Sequence, residues 1–88
     1  MTMKLKKEFI PHDTGAESLL VPTGGAGWAG LVKGNKTLGV IMDLLKTDTT
    51  EEAVITAMEA RFDAPEEVIA RDVRMVVAEL RRIGALDE

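Results

Sequence analysis

The side chains that could carry out catalysis or bind a metal are few and scattered along this chain. His12 is the only histidine, and it lies between Pro11 and Asp13 in a segment typical of a turn. The chain has no cysteine, so it supplies no thiolate ligand, disulfide or iron–sulfur site. Catalysis needs a nucleophile, a base and an orienting group, or several metal ligands, in one place. We therefore predict a protein that is not an enzyme and holds no cofactor or metal.

Two pairs of adjacent carboxylates suggest acid–base chemistry at first sight, namely Glu51 with Glu52 and Glu66 with Glu67. Each pair directly follows a residue that is typical of a helix start. Acidic side chains are favoured there because the helix dipole is positive at its N-terminus. We interpret both pairs as helix-opening residues.

Two glycine-rich segments resemble nucleotide-binding loops without matching their spacing. Residues 30–37 (GLVKGNKT) have three residues between the glycines, and Asn35 separates the second glycine from Lys36. A phosphate-binding loop has four residues there and a lysine directly after the second glycine. Residues 24–27 (GGAG) lack the helix and acidic partner of a dinucleotide site. We interpret both segments as turns.

The 88 residues are enough for a single domain. Their net charge of −4 is distributed unevenly along the chain. Residues 1–49 carry +1, whereas residues 50–88 carry −5. Five arginines in the second half suggest a DNA-recognition helix, but acidic residues alternate with them, as on a solvated helix face. Binding to phosphates requires clustered cations. DNA binding, or a structural role in protein–protein interaction, is the alternative to the function described below. The arginines are Arg61, Arg71, Arg74, Arg81 and Arg82.

The first third of the chain has the pattern of three short antiparallel strands. Residues 5–11 and 17–21 are apolar-leaning runs on either side of the turn sequence Asp13-Thr14-Gly15, which predicts a β-hairpin. A glycine-rich loop follows, and residues 28–33 resume as the third strand. An exposed edge strand in this hairpin would also allow a homodimer.

Three helices are predicted in the remainder of the chain. Asn35 caps a helix over residues 36–45, Thr49 or Thr50 caps a second helix that ends near Asp63, and Pro65 opens a third. Gly84 is predicted to end the third helix in a left-handed conformation. The buried stripes, at helical spacing, are Leu38, Ile41, Met42 and Leu45; Val54, Ile55, Met58 and Phe62; and Ile69, Val73, Val76, Leu80 and Ile83. Strands over residues 1–33 and helices over residues 35–86 make one α+β domain.

Four segments resemble the PqqD family of small peptide-carrying proteins. They are GLVKGNKTLGVIMDLLK at 30–46, TTEEAV at 49–54, RFDAPEEV at 61–68 and DVRMVVAELRRIGAL at 72–86. The resemblance implies a winged-helix-like fold, in which a three-stranded antiparallel sheet packs on a three-helix cluster. It also implies a peptide chaperone that holds the leader of a ribosomally made precursor peptide and presents it to a radical S-adenosylmethionine enzyme or another modifying enzyme. The enzyme would perform the chemistry.

In the resembled family the leader adds as a strand in the cleft between the third strand and the third helix. Carried over residue by residue, the resemblance gives a strand wall and a helix wall in this chain. The strand wall is Ala29, Gly30, Leu31, Val32 and Lys33, and the helix wall is Val68, Arg71, Asp72, Met75 and Glu79. Trp28, just before the strand wall, is either an anchor of the core or loop or an aromatic contact for the peptide. In this assignment Lys33 and Arg71 meet leader carboxylates, whereas Leu31, Val68 and Met75 receive an apolar side chain.

The chain departs from the family pattern at two positions and gives no sign of a membrane segment. Gly34 stands where an apolar residue is more typical, and Leu38 stands where a small one is common. These departures concern the junction between the third strand and the first helix. No apolar run approaches the roughly 20 residues that span a bilayer, so we expect a cytoplasmic protein without membrane or nucleic-acid partners.

Overall fold

The computed structural model describes residues 2–15, 17–25, 27 and 30–88. In chain order, the elements are β1 (Lys4–Leu5), β2 (Phe9–Asp13), β3 (Ser18–Pro22), β4 (Val32–Gly34), α1 (Lys36–Leu44), α2 (Glu51–Arg61), α3 (Glu66–Arg82) and β5 (Leu86–Asp87). The strands β2, β3 and β4 form an antiparallel sheet in that order, and β1 pairs with β5 in a separate two-stranded sheet. The three-stranded sheet followed by three helices confirms the predicted α+β class.

The predicted first strand over residues 5–11 is wrong in its extent, because the chain changes sheets within it. The backbone N–H of Leu5 donates to the carbonyl of Leu45 at 2.8 Å, and that of Lys6 donates to the carbonyl of Ala85 at 2.8 Å. A turn follows, and β2 begins at Phe9 as the partner of β3. The predicted hairpin therefore consists of β2 and β3, whereas the preceding residues pair with the C-terminus, where we predicted no strand.

The hairpin turn is close to the predicted one. Asp13 is the last residue of β2 and pairs with Ser18, rather than lying in the turn itself. Its Oδ1 accepts a 2.8 Å hydrogen bond from the N–H of Gly15, which has a φ of +90°. Glycine adopts this backbone conformation without steric strain, so the turn residues act as the sequence indicates.

The predicted third strand over residues 28–33 is also shifted. The strand in the structure, β4, covers Val32–Gly34, and Gly30 and Leu31 precede it as exposed residues. Trp28 and Ala29 lie outside the described residues. Glycine weakens a strand because it has no side chain to pack, which is consistent with the ladder starting after Gly30.

The helix boundaries follow the predicted caps closely. Asn35 Oδ1 accepts from the backbone N–H groups of Thr37 at 3.1 Å and Leu38 at 3.4 Å, and Thr50 Oγ1 accepts from that of Ala53 at 3.1 Å. Pro65 precedes α3 as its N-terminal flanking residue instead of being its first residue. Gly84 has a φ of +76°, which confirms the left-handed cap.

The apolar stripes of the three helices meet in one core, in which α1 packs on the sheet and α2 and α3 pack on α1 and on each other. One assignment on α3 is wrong: Val77 is fully buried, whereas Val76 is only partly buried. The predicted α1 stripe is confirmed in full. The core contains Met3, Leu5, Phe9, Leu20, Leu38, Ile41, Met42, Leu45, Val54, Met58, Ile69, Val73, Val77, Leu80, Ile83, Ala85 and Leu86. Within the described ranges, no helix is long and apolar enough to cross a membrane.

Candidate peptide-binding cleft

The outer edge of β4 is the structural feature closest to the predicted strand wall. β4 pairs with β3 on one side, with Val32 opposite Leu20, Lys33 opposite Leu19 and Gly34 opposite Ser18. Among the described residues no strand pairs with its other side. Backbone N–H and C=O groups alternate in direction along an antiparallel strand, so part of those in β4 point away from β3. An extended peptide can pair with them.

Three large apolar side chains are exposed among the described residues, and two of them are predicted site residues. Leu31, just before β4, is 55% exposed, and Met75, on α3, is 63% exposed. The third, Ile10, is 45% exposed and lies on β2, at the other edge of the sheet. Each predicted wall therefore has one apolar side chain that is not part of the core, Leu31 on the strand wall and Met75 on the helix wall.

The first turn of α1 connects the two walls. Both β4 and α3 contact α1, and Thr37, in the first turn, lines a small pocket together with Val68 and Asp72 of α3. The pocket has a volume of about 90 Å³ and is mostly apolar. Its other lining residues are Met58, Phe62, Ala64, Ile69 and Val73. The volume suits part of one aliphatic side chain.

Sequence reasoning missed Thr37 and Phe62 as residues of this site. Thr37 lies one position before Leu38 and four before Ile41, so its location at the border of the buried stripe was visible from helical periodicity. Phe62 was assigned to the core stripe of α2, and it is only partly buried. Its role in the pocket depends on how α2 meets α3, which no local pattern indicates.

The charged residues of the predicted site fall into two groups. Lys33 and Arg71 are exposed, Asp72 is half-buried, and none of the three makes an ion pair with another described residue. Glu79 is different, because its carboxylate accepts hydrogen bonds from Nε and Nη2 of Arg82, the former at 3.0 Å. This bonding lowers the pKa of Glu79 below its ordinary value of 4.5.

Glu79 is also separate from the pocket. It lies seven residues beyond Asp72 on α3, which is about 10 Å along the helix axis. The structure thus brings Val68 and Asp72 together around one pocket and leaves Glu79 at a distance, bonded to its own helix. No group of three or more histidine, aspartate or glutamate side chains that could hold a metal occurs among the described residues.

Comparison with known proteins agrees with this architecture. The solved structure "TbiB1 in Complex with the TbiA(beta) Leader Peptide" superposes on this chain with a TM-score of 0.76 at 17% sequence identity. The match covers 96% of this chain and 94% of the other. At this identity the likeness establishes the fold alone. No curated protein matches the chain.

The sequence match is more specific than the structural one. Residues 20–86 match the family model described as Coenzyme PQQ synthesis protein D (PqqD). The matched range begins in β3 and ends in β5, so it includes β4, the three helices and both walls of the cleft. The chain therefore belongs to the PqqD family.

Proposed function

We propose that this protein binds the leader of a ribosomally made precursor peptide in the cleft between β4 and α3. The observation that carries the proposal is the outer edge of β4, with which no described strand pairs, next to the exposed side chain of Leu31. In strand addition, backbone hydrogen bonds supply affinity and side-chain pockets supply selectivity. The β4 edge supplies the backbone hydrogen bonds, and the side chains on α3 supply the selectivity.

The side chains of the cleft indicate what a leader must contain. Leu31 and Met75 offer apolar contacts at the surface, and methionine adapts to ligands of different shape. The pocket beside Val68 receives one aliphatic group. Lys33 and Arg71 are available for carboxylates of the leader. The preferred leader segment therefore combines an aliphatic anchor with acidic residues.

The family match and the similar solved structure support this function independently of the residues that line the cleft. The family is named for coenzyme synthesis, and the protein in the matching structure is bound to a leader peptide. The matched fold supplies a precedent for leader binding by a protein of this shape. The contacts in this chain follow from its own residues.

The charges on α3 favour a peptide over nucleic acid. Arg81 donates hydrogen bonds to Glu88, and Arg82 donates to Glu79. Two of the four arginines on this helix are thus neutralised within the chain, and both bonds raise the pKa of the arginine concerned. Of the four α3 arginines, Arg71 and Arg74 make no ion pair with any described residue. DNA affinity depends on several cations facing the phosphates together.

A protein of this kind acts by delivery. Binding of the leader raises the effective concentration of the attached core peptide at a modifying enzyme. We assign that role to a radical S-adenosylmethionine enzyme, as family membership suggests. In this scheme the enzyme provides the cofactor and the catalysis, and the present chain provides recognition.

An NMR titration tests the proposal. Labelled protein is titrated with a synthetic leader segment that combines an aliphatic anchor with acidic residues, and with a scrambled segment as the control. We expect saturable shifts at Gly30, Leu31 and Lys33 and along residues 68–75, and slower hydrogen exchange at the outward-facing amides of β4. A leader with proline in its pairing segment should bind much more weakly. Unchanged spectra at millimolar leader concentrations would contradict the proposal.

A further inference from the structure

Four of the six lysines of the chain surround one groove that is separate from the cleft. The groove has a volume of about 660 Å³ and lies between β1, the turn after it, the residues following α1, and β5. Its lining residues are Lys4, Leu5, Lys6, Lys7, Glu8, Gly25, Lys46 and Asp87. We call this surface the lysine groove.

The backbone that carries these lysines is held in place at several points. Leu5 and Lys6 donate hydrogen bonds to Leu45 and Ala85, and Met3 forms a bridge with Thr49. The side chains of Leu5 and Leu86, from the paired strands, are both buried in the core. The lysines therefore project from a fixed base, and binding a partner there would require little ordering of the backbone.

The positive charges of the groove are mostly not neutralised within the chain. Lys4, Lys6 and Lys7 make no ion pair with any described residue, and Lys46 makes one exposed pair with Asp43 at 3.2 Å. Such exposed pairs contribute little stability. In a protein with a net charge of −4, a cluster of cations without partners indicates an anionic ligand.

The composition of the groove favours an acidic polypeptide over other anions. Glu8 and Asp87 lie among the lysines and would repel a continuous row of phosphates. The described lining contains no aromatic side chain to stack on bases and no arginine to grip a phosphate with two hydrogen bonds. A flexible acidic segment, whose carboxylates can lie beside the lysines and away from Glu8 and Asp87, matches this pattern better.

The location of the groove allows it to work at the same time as the cleft. Thr37, in the first turn of α1, faces the cleft pocket, whereas Lys46 follows the other end of that helix. The nine residues of α1 form about 13 Å of helix between these two regions. A ligand in the groove would leave the edge of β4 open.

We infer that the lysine groove is the docking site for an acidic segment of the enzyme that modifies the bound precursor. The inference rests on the proposed function, since delivery requires one surface for the leader and a second for the enzyme. Charge attraction of this kind speeds association and weakens with salt. Docking would therefore be fast and reversible.

The test uses a hexaglutamate peptide as the probe and the full chain as the receptor. Two double variants with the same change in charge are compared. One carries Lys6→Glu and Lys7→Glu in the groove, and the other carries Arg61→Glu and Arg74→Glu elsewhere on the surface. All four side chains are exposed, and thermal unfolding verifies that each variant folds. Lys46→Gln serves as a milder groove variant. Leader binding is measured on the same samples.

We expect hexaglutamate to shift the amides of residues 4–8, 46 and 87, with affinity that falls at high salt. Reversal of the two groove lysines should weaken binding about tenfold or more, because two attractive charge pairs are lost and each is replaced by repulsion. The Arg61/Arg74 variant should retain its affinity for hexaglutamate, and reversal of Lys6 and Lys7 should leave leader binding unchanged. If the unmodified chain binds hexaglutamate in the groove but does not bind the leader, that result would contradict the proposed function and not the presence of an acidic-peptide site.

Three results would overturn the inference. One is the absence of hexaglutamate binding at low salt. Another is an equal loss of affinity in both double variants, which would indicate a diffuse charge effect. The third is stronger binding of duplex DNA or of anionic vesicles than of hexaglutamate to the same residues, which would identify a phosphate site.

Discussion

A β-carbon at Gly34 would stand 2.8 Å from Cδ2 and 3.2 Å from Cβ of Leu38. The resemblance to the PqqD family implies that both positions depart from its usual pattern, and in the structure the two residues lie against each other. Leu38 occupies the space that a side chain at position 34 would fill, and it is buried there with 8% exposure. The junction between β4 and α1, which positions one wall of the cleft, is thus packed by this pair.

The pairing predicts a non-additive effect of substitution. Gly34→Ala should destabilise the fold by roughly 1–3 kcal/mol, because Leu38 must move from a packed position. The same change in a Leu38→Ala background should cost much less, since the 2.8 Å contact with Cδ2 is then gone and only the 3.2 Å contact with Cβ remains. Urea unfolding of the two single variants and the double variant measures the coupling. Additive changes in unfolding free energy would contradict the proposed fit.

A second close contact joins the helix to the sheet at Gly39. An added β-carbon there would overlap Ser18 Oγ and lie 3.2 Å from Ser18 Cβ. We expect Gly39→Ala to lower the free energy of unfolding, since overpacking costs roughly 1–3 kcal/mol and the gain in helix propensity returns only about 0.5–1 kcal/mol. Ser18→Gly should relieve part of the loss. Gly24→Ala is the control, because a β-carbon there meets nothing within 4 Å. Equal thermal stability of the two alanine variants would exclude this contact as a constraint.

The exposed apolar residues provide a matched test of the cleft. Leu31→Ala and Met75→Ala should each weaken leader binding about tenfold, as expected when an apolar anchor is truncated at an interface. Ile10→Ala removes a comparably exposed side chain from the far edge of the sheet and should leave the affinity unchanged. Calorimetric titration of the three variants with the same leader compares them directly. Should Ile10→Ala reduce affinity as strongly as the others, the leader would bind elsewhere.

Two carboxylates should titrate at lower pH than usual. Hydrogen bonds from Arg82 lower the pKa of Glu79, and those from Arg81 lower the pKa of Glu88. Because each folded-state pKa lies below that of the unfolded chain, both pairs stabilise the fold above the unfolded pKa, and this contribution is lost as the pH falls through the folded pKa.

Side-chain carbon NMR titration measures these values individually. Arg82→Gln should raise the midpoint of Glu79 toward its ordinary value of 4.5 and leave Glu88 unchanged, and Arg81→Gln should do the reverse. Each variant is thus the control for the other. Midpoints that do not respond to removal of the partner arginine would show that these hydrogen bonds do not form in solution.

Local chemistry made much of the fold predictable. The Asn35 and Thr50 caps and the left-handed Gly84 depend on groups within a few residues of each other, so the sequence alone indicates them. The α1 stripe is equally local, since a helix with one apolar face and one polar face buries the apolar face. The presence of three helices after a small antiparallel sheet was predictable for this reason.

The strands were less predictable, because their partners are distant in the chain. The pairing of β1 with β5 joins Leu5 to Leu86, and nothing in residues 5–11 indicates that the chain changes sheets before Phe9. On α3, whether Val76 or Val77 is buried depends on the surfaces that the helix meets. Both valines fit a helical stripe, and tertiary packing selects one.

The same division applies to the sites. The sequence by itself determined the family, the acidic character of the helical half and the absence of cysteine chemistry, since these are properties of residue type and local order. Only the tertiary structure decided which side chains stay exposed after the core has formed. It left Leu31 and Met75 uncovered and gathered distant lysines around one groove, because burial and proximity depend on contacts between residues far apart in the chain.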